Sequence, residues 1–164
     1  MKTRIFIFVV LCTVVEHSLF SQTRAQLTDS TEAFNETVQG LGFFVGPSTG
    51  VGLSYRFHNP STTSMQFTFG IMSTKDDFFI SVGMGLQQDL VMGRSSRFYI
   101  VGGIAYFHTG KSANEYEGPF RIGAGIGGEL RALDALHFSA EGIFTLFSDG
   151  SIYPVPQCGI HYYF

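Results

Sequence analysis

The sequence has 164 residues, a formal net charge of −3 and charged residues at only 14% of its positions. This length fits one domain, and the slight acidic excess excludes electrostatic binding to nucleic-acid phosphates. Apolar residues make up 45% of the chain, with 18 Phe, 7 Tyr and 20 Gly. Beyond the N-terminus they are interrupted by Gly, Ser, Thr or Gln at every second or third position, which indicates β-strands rather than membrane-spanning helices.

The N-terminus has the features of an export signal. Lys2 and Arg4 precede an apolar run over residues 5–15. That run is too short to cross a bilayer as a helix, which takes about 20 residues. We predict a cleavable signal peptide over residues 1–25, cut after Ala25, with a cut near Ser21 as the alternative.

The segment that follows, residues 26–39, is polar and has no hydrophobic period. We predict that it is a short leader in front of the folded domain. Removal of the signal peptide takes away Cys12 and leaves Cys158 as the only cysteine. The mature protein therefore cannot form an internal disulfide, and a closed sheet would be its source of stability.

From Gly40 onward the chain consists of short segments that alternate between two faces. Turn-forming residues such as Gly, Pro, Asn, Asp and Ser separate them, as expected for antiparallel hairpins. In the last segment Pro154 and Pro156 cannot donate ladder hydrogen bonds, so we predict that regular pairing begins there near Gln157. The eight predicted strands cover residues 40–46, 51–58, 65–72, 78–88, 98–107, 120–130, 136–147 and 157–164.

The composition of the two strand faces predicts which one meets the lumen. One face is rich in Phe, Ile, Leu and Val, and the other carries Gly, Ser and a few isolated charges. Glycine weakens a strand that faces water, whereas inside a narrow barrel it leaves room for larger side chains. The sequence therefore predicts an all-β, antiparallel up-and-down transmembrane barrel of about eight strands. A soluble periplasmic barrel with the faces reversed is the alternative.

The C-terminal segment Gly159–Phe164 places Ile160, Tyr162 and Phe164 on one face and ends in Phe. It resembles the last strand of outer-membrane barrel proteins. Together with the signal peptide and the eight segments, residues 40–164 resemble the small OmpA/OmpX-type, porin-like barrel family of Gram-negative bacteria. The resemblance implies a location in the cell outer membrane and contact with its lipid. It also implies recognition of the C-terminal strand by the barrel assembly machinery.

Several isolated charges and two histidines fall on the predicted lumen face. Charges in a lumen only wide enough for side chains must pair or be hydrated. We therefore expect a polar network that closes the barrel, and an ion or solute path is the alternative. The residues of this hypothetical network are Arg56, Arg121, Glu129, His137, Glu141 and His161.

Catalytic and cofactor motifs are weak in this sequence. His137, Ser139 and Glu141 are residue types of an acyl-transfer triad, and the first two resemble the His-x-Ser of outer-membrane lipid A deacylases. Ala140 stands where that family has Asn, and both residues fall on the lumen face. The glycine pattern over residues 123–128 lacks the βαβ context of a dinucleotide site. The five histidines are dispersed, so we expect neither a metal nor another cofactor.

The sequence as a whole predicts a structural or surface-interaction role without catalysis. A narrow channel or a carrier for a small solute is the second hypothesis, and a membrane-embedded lipid hydrolase is the third. An open lumen would favour the channel, and a lipid-facing His137 and Ser139 would favour the hydrolase.

Overall fold

The computed structural model describes residues 37–59, 63–73, 78–110 and 120–164. The predicted signal peptide and the leader up to residue 36 lie outside the described residues. Eight antiparallel strands form a closed barrel in chain order, with β1 paired to β8, so the predicted fold class is confirmed. The strands are β1 Val38–Gly46, β2 Gly50–Asn59, β3 Thr63–Ser73, β4 Phe78–Met92, β5 Ser96–Gly110, β6 Phe120–Arg131, β7 Leu136–Leu146 and β8 Ile152–Tyr163.

The described ranges contain no helix long and apolar enough to cross a membrane.

Strands β4 and β5 are longer than predicted. Each has 15 residues, because the alternation of β4 continues to Asp89 and that of β5 already includes Arg97. A register shift between Asp89 and Val91 lets the two strands remain paired as far as Met92 and Arg97. Strand β1 begins at Val38, so the last two residues of the predicted leader belong to the barrel.

Strand β8 includes Pro154 and Pro156, so the prediction that pairing begins near Gln157 is wrong. The N–H of Tyr163 donates to a carbonyl on the β7 side. Since N–H groups of an antiparallel strand point alternately to its two neighbours, the nitrogens of both prolines point towards β1. There β1 pairs with β8 only from Cys158 onward. The two prolines therefore lack N–H groups only on the side where β8 has no paired neighbour, so no ladder hydrogen bond is lost.

The outer face of the barrel is apolar and its inner face is polar. Among the described residues, 28 large apolar side chains are exposed, while the buried residues comprise 19 polar or charged ones and only 7 apolar ones. A soluble protein shows the opposite distribution. The lipid-facing and lumen-facing sides are therefore assigned as the sequence predicted, which is the arrangement of a transmembrane barrel.

The barrel has two distinct ends. The near end holds the start of β1, the end of β8 and the turns 93–95 and 132–135. The far end holds the end of β1, the start of β8 and the turns 47–49 and 147–151. The near half and the far half of the lumen are named after these ends.

Candidate functional site in the lumen

The near half of the lumen contains a network of buried charges centred on Glu129, which is 1% exposed. Its Oε2 accepts hydrogen bonds from Nη1 of Arg56 at 2.6 Å and from Nη2 of Arg97 at 2.6 Å. Its Oε1 lies 3.0 Å from Nδ1 of His137. Nη1 of Arg97 also donates to Oδ1 of Asp89 at 2.9 Å. These five residues are called the ionic network.

The strands bring the ionic network together across the lumen. Arg56 lies on β2 and Glu129 on β6, four strands apart in a ring of eight, so their side chains meet from opposite walls. Alternation turns both side chains inward, and closure of the barrel lets them meet. Because the shared carboxylate binds two guanidinium groups at once, the network connects the walls and fills the passage between them.

Neutral polar side chains complete the hydrogen bonding of the arginines. Gln66 Oε1 accepts from Nη2 of Arg56 at 2.5 Å, and Gln87 Oε1 accepts from Nη2 of Arg97 at 2.8 Å. Gln87 also donates through Nε2 to Oε1 of Glu141 at 3.1 Å. A buried charge is stable only when its other polar atoms have partners as well, so these amides help to hold the guanidinium groups in place.

Four of the six residues named from the sequence lie in this region: Arg56, Glu129, His137 and Glu141. His161 is also buried, but its Nε2 lies 3.0 Å from Ser54 Oγ, away from the ionic network.

Arg121 lies elsewhere, in the far half. Its guanidinium stacks over the rings of Phe107 at 4.3 Å and Phe147 at 5.0 Å. Within the described residues it forms no ion pair with a carboxylate. It therefore does not belong to the ionic network.

Sequence reasoning missed Arg97 and Asp89. Both fell outside the predicted strands 78–88 and 98–107, close to the predicted turn. The available signal was parity, since Asp89 continues the inward positions of Gly85 and Gln87, and Arg97 lies one position before the outward Phe98. Extending both strands along their alternation would have placed an opposite-charge pair in the lumen.

The connection between β1 and β2 enters the lumen instead of lying at the rim. Ser48 and Thr49 are 0% and 1% exposed. Ser48 Oγ is 2.7 Å from Thr145 Oγ1, and Thr49 Oγ1 donates to Gln157 Oε1 at 2.6 Å. Gly50 follows with a φ of +93°, a left-handed conformation that favours glycine. Residues 47–49 are called the turn plug.

Glycines on three neighbouring strands provide the space for the turn plug. A Cβ on Gly83 or Gly103 would overlap atoms of Thr49, and one on Gly123 would lie 2.7 Å from Ser48 Oγ. The sequence predicted that lumen glycines make room for large side chains. Gly83 and Gly103 instead make room for the chain's own turn, a contact that residue spacing along the strands does not reveal. Gly123 makes room for both the turn and a large side chain, since its Cβ would also lie 2.6 Å from Ile143 Cγ2.

The geometry offers little to hydrolytic or metal chemistry. His137 and Ser139 are buried in the lumen, at 3% and 4% exposure, rather than facing lipid. Nδ1 of His137 is directed to Glu129, while Ser139 Oγ lies 3.5 Å from the carbonyl of Gly159. In the described ranges, no three His, Cys, Asp or Glu residues are grouped as metal ligands would be.

No family model matches the sequence, and no curated protein matches it. Solved structures of other proteins are similar, among them the following two. The N-terminal β-barrel domain of Pseudomonas aeruginosa OprF superposes with a TM-score of 0.55 at 11% identity, over 79% of this chain and 98% of that one. The Yersinia pestis outer membrane protein Ail, in a phospholipid bilayer nanodisc, superposes with a TM-score of 0.50 at 12% identity, over 79% and 99%. By its fold, the chain is thus an eight-stranded antiparallel β-barrel of the outer-membrane type.

Proposed function

We propose that this chain is an outer-membrane β-barrel with a closed lumen, which acts as a structural or surface-interaction protein and not as an enzyme. The observation that carries the proposal is the double closure of the lumen. The ionic network connects opposite walls in the near half through Arg56 and Glu129, and the turn plug occupies the interior beyond it. A solute would have to displace both.

The outer apolar surface and the fold support a membrane location. Barrels of this type have short periplasmic turns and longer extracellular loops. Strands that follow one another at the near end are separated by three or four residues of sequence, whereas nine residues of sequence separate β5 from β6 at the far end. The near end therefore faces the periplasm in this proposal, and the far end presents its connections at the cell surface.

The C-terminal strand is the segment that an assembly partner would recognise. Tyr162 is exposed on the outer face of β8, on the same face as Ile160, and Phe164 follows the strand directly. We propose that these three residues are recognised by the barrel assembly machinery, and that outer-membrane lipid surrounds the mature barrel.

The location is tested by heat modifiability of a purified outer-membrane fraction. A folded membrane barrel resists cold detergent and migrates differently after boiling. We expect the protein in that fraction with a band that shifts on boiling. Recovery in the soluble periplasmic extract without a shift would overturn the proposed location.

The closed lumen is tested by conductance of the refolded protein in planar lipid bilayers. We expect no discrete conductance steps, because Glu129 holds two arginines in the passage. A general porin added to the same bilayer afterwards must produce steps, which shows that insertion is detectable. Regular small steps from this protein alone would support the narrow-channel alternative.

A further inference from the structure

The barrel wall is incomplete at the far end, between β8 and β3. Residues 152–157 of β8 pair with β7, but pairing with β1 begins only at Cys158. Residues 71–73 of β3 pair with β4, but the pairing of β3 with β2 ends at Phe69. Among the described residues, no strand joins these two edges. They border what is called the wall opening.

The wall opening results from the turn plug. The strands that would fill this part of the wall, β1 and β2, stop at Gly46 and start at Gly50, and the turn between them enters the lumen. The N–H of Val51 donates to Ser81 Oγ of β4 at 2.8 Å, so the start of β2 also leans inward. The same residues that close the axial passage therefore leave a lateral gap.

The β8 edge of the wall opening is not suited to a partner strand. The nitrogens of Pro154 and Pro156 point to the open side and carry no hydrogen. A strand added there would find no donors at two successive ladder positions, and proline protects sheet edges from such pairing. The β8 edge is therefore not a site at which a β-strand of another chain would pair.

The edges of the wall opening are apolar on the outside. Ile71 and Ile152, both on the outer face of their strands, are 58% and 62% exposed. In a membrane barrel such side chains contact acyl chains. The wall opening consequently lies where the bilayer adjoins the barrel, and an acyl chain is the occupant that matches its chemistry.

A cation faces the lumen beyond the wall opening. Tyr153, on the β8 edge, contacts Phe147 at a centroid distance of 5.9 Å, and Phe147 lies under the guanidinium of Arg121. Phe107 contacts the same guanidinium. The aromatic rings fix the position of Arg121, while its N–H groups point outward in the plane of the guanidinium and are available to an anion. Arg56 and Arg97, by contrast, each bind Glu129.

We propose that the wall opening and Arg121 together form a binding site for an anionic amphiphile from the bilayer. Its head group binds the guanidinium of Arg121 inside the far half, and its acyl chain extends through the wall opening into the surrounding lipid. The turn plug separates this site from the near half, so the site binds the amphiphile without forming a through-channel. The inference rests on the proposed membrane location.

The test uses the mature chain, refolded into phosphatidylcholine nanodiscs. The probe is a long-chain fatty acid with a diazirine close to its carboxyl end, and the matched probe is its methyl ester, which has no charge. After irradiation, mass spectrometry locates the adducts. We expect the acid to label inward-facing residues of the far half, such as Ala105 and Val155, several-fold more than the ester does. Labelling of outward-facing residues such as Ile104 is expected to be equal for the two probes.

Two variants sharpen the test. Arg121→Gln should reduce inward labelling by the acid to the level of the ester. Arg94→Gln, in the exposed near-end turn, should leave it unchanged. Heat modifiability verifies that each variant is folded. Adducts confined to outward-facing residues, or inward labelling that does not depend on Arg121, would overturn this inference alone. Failure of the wild-type protein to enter nanodiscs would instead overturn the proposed membrane location.

Discussion

The near and far halves of the lumen are both closed, but by different interactions. In the near half, charged side chains from opposite walls meet at Glu129, and every strand continues to the near end. In the far half, the chain's own turn enters the lumen and is held by hydroxyl and amide hydrogen bonds. The first kind of closure keeps the wall complete. The second removes a hairpin tip from the wall and leaves a lateral opening, so the two halves are suited to different roles.

The two halves should also differ in how strongly they depend on single residues. A buried ion pair that loses one partner leaves an uncompensated charge. A neutral hydrogen bond that is lost costs much less. Single substitutions in each half measure this difference.

The largest effect is expected for Glu129→Gln, which leaves Arg56 and Arg97 without their shared carboxylate. We expect a loss of about 3–5 kcal/mol in the free energy of unfolding, measured by urea titration of the protein in lipid vesicles. Glu141→Gln is the matched control, because its Oε1 accepts from the neutral groups of Gln87 and Tyr99. Equal losses for the two variants would contradict a near half organised by Glu129.

A smaller effect is expected for Gly103→Ala, which adds a methyl group against the turn plug. The new Cβ would overlap Thr49 and lie 2.8 Å from the carbonyl oxygen of Ser48. Overpacking of this kind costs about 1–3 kcal/mol. Gly102→Ala is the control on the same strand, since its Cβ would point outward and meet nothing closer than 4.0 Å. If both variants unfold at the same urea concentration, the turn plug is not packed as described.

Thr49→Val tests the hydrogen bond that holds the turn plug. It removes the donor to Gln157 Oε1, and we expect a loss of about 0.5–1.5 kcal/mol. Combination with Gln157→Leu should cost less than the sum of the two single changes, because the residues interact directly. Thr63→Val removes an exposed hydrogen bond to Gln88 and is the control. Strict additivity in the double variant would argue against the contact.

The smallest effect is expected at the surface of the near end. Arg131 and Asp134 form an ion pair at 3.2 Å in which the aspartate is fully exposed. Such pairs contribute little, because water screens them. Asp134→Asn should leave the unfolding midpoint unchanged within error. A clear shift would show that charge at the near end matters irrespective of burial, and would weaken the contrast with Glu129.

Much of the architecture could be predicted from the sequence. Alternation with a period of two assigned Arg56 and Glu141 to the inner face and Phe67 and Phe138 to the outer face, as the burial shows. It also indicated eight strands, although it ended β4 too early and began β5 and β8 too late. The proximity of Glu129 and His137 across a short turn could also be predicted, because the two strands of a hairpin lie next to each other.

The sequence by itself determined the strand number, the orientation of the two faces and the set of polar side chains that must be inside. Only the tertiary structure decided which of them meet, because partners across a lumen depend on the stagger of the closed barrel. Arg56 and Glu129 are 73 positions apart, and no local period relates them. The sequence could not predict that residues 47–49 enter the lumen either. A turn has the same polar composition whether it lies in water or packs among glycines of β4, β5 and β6.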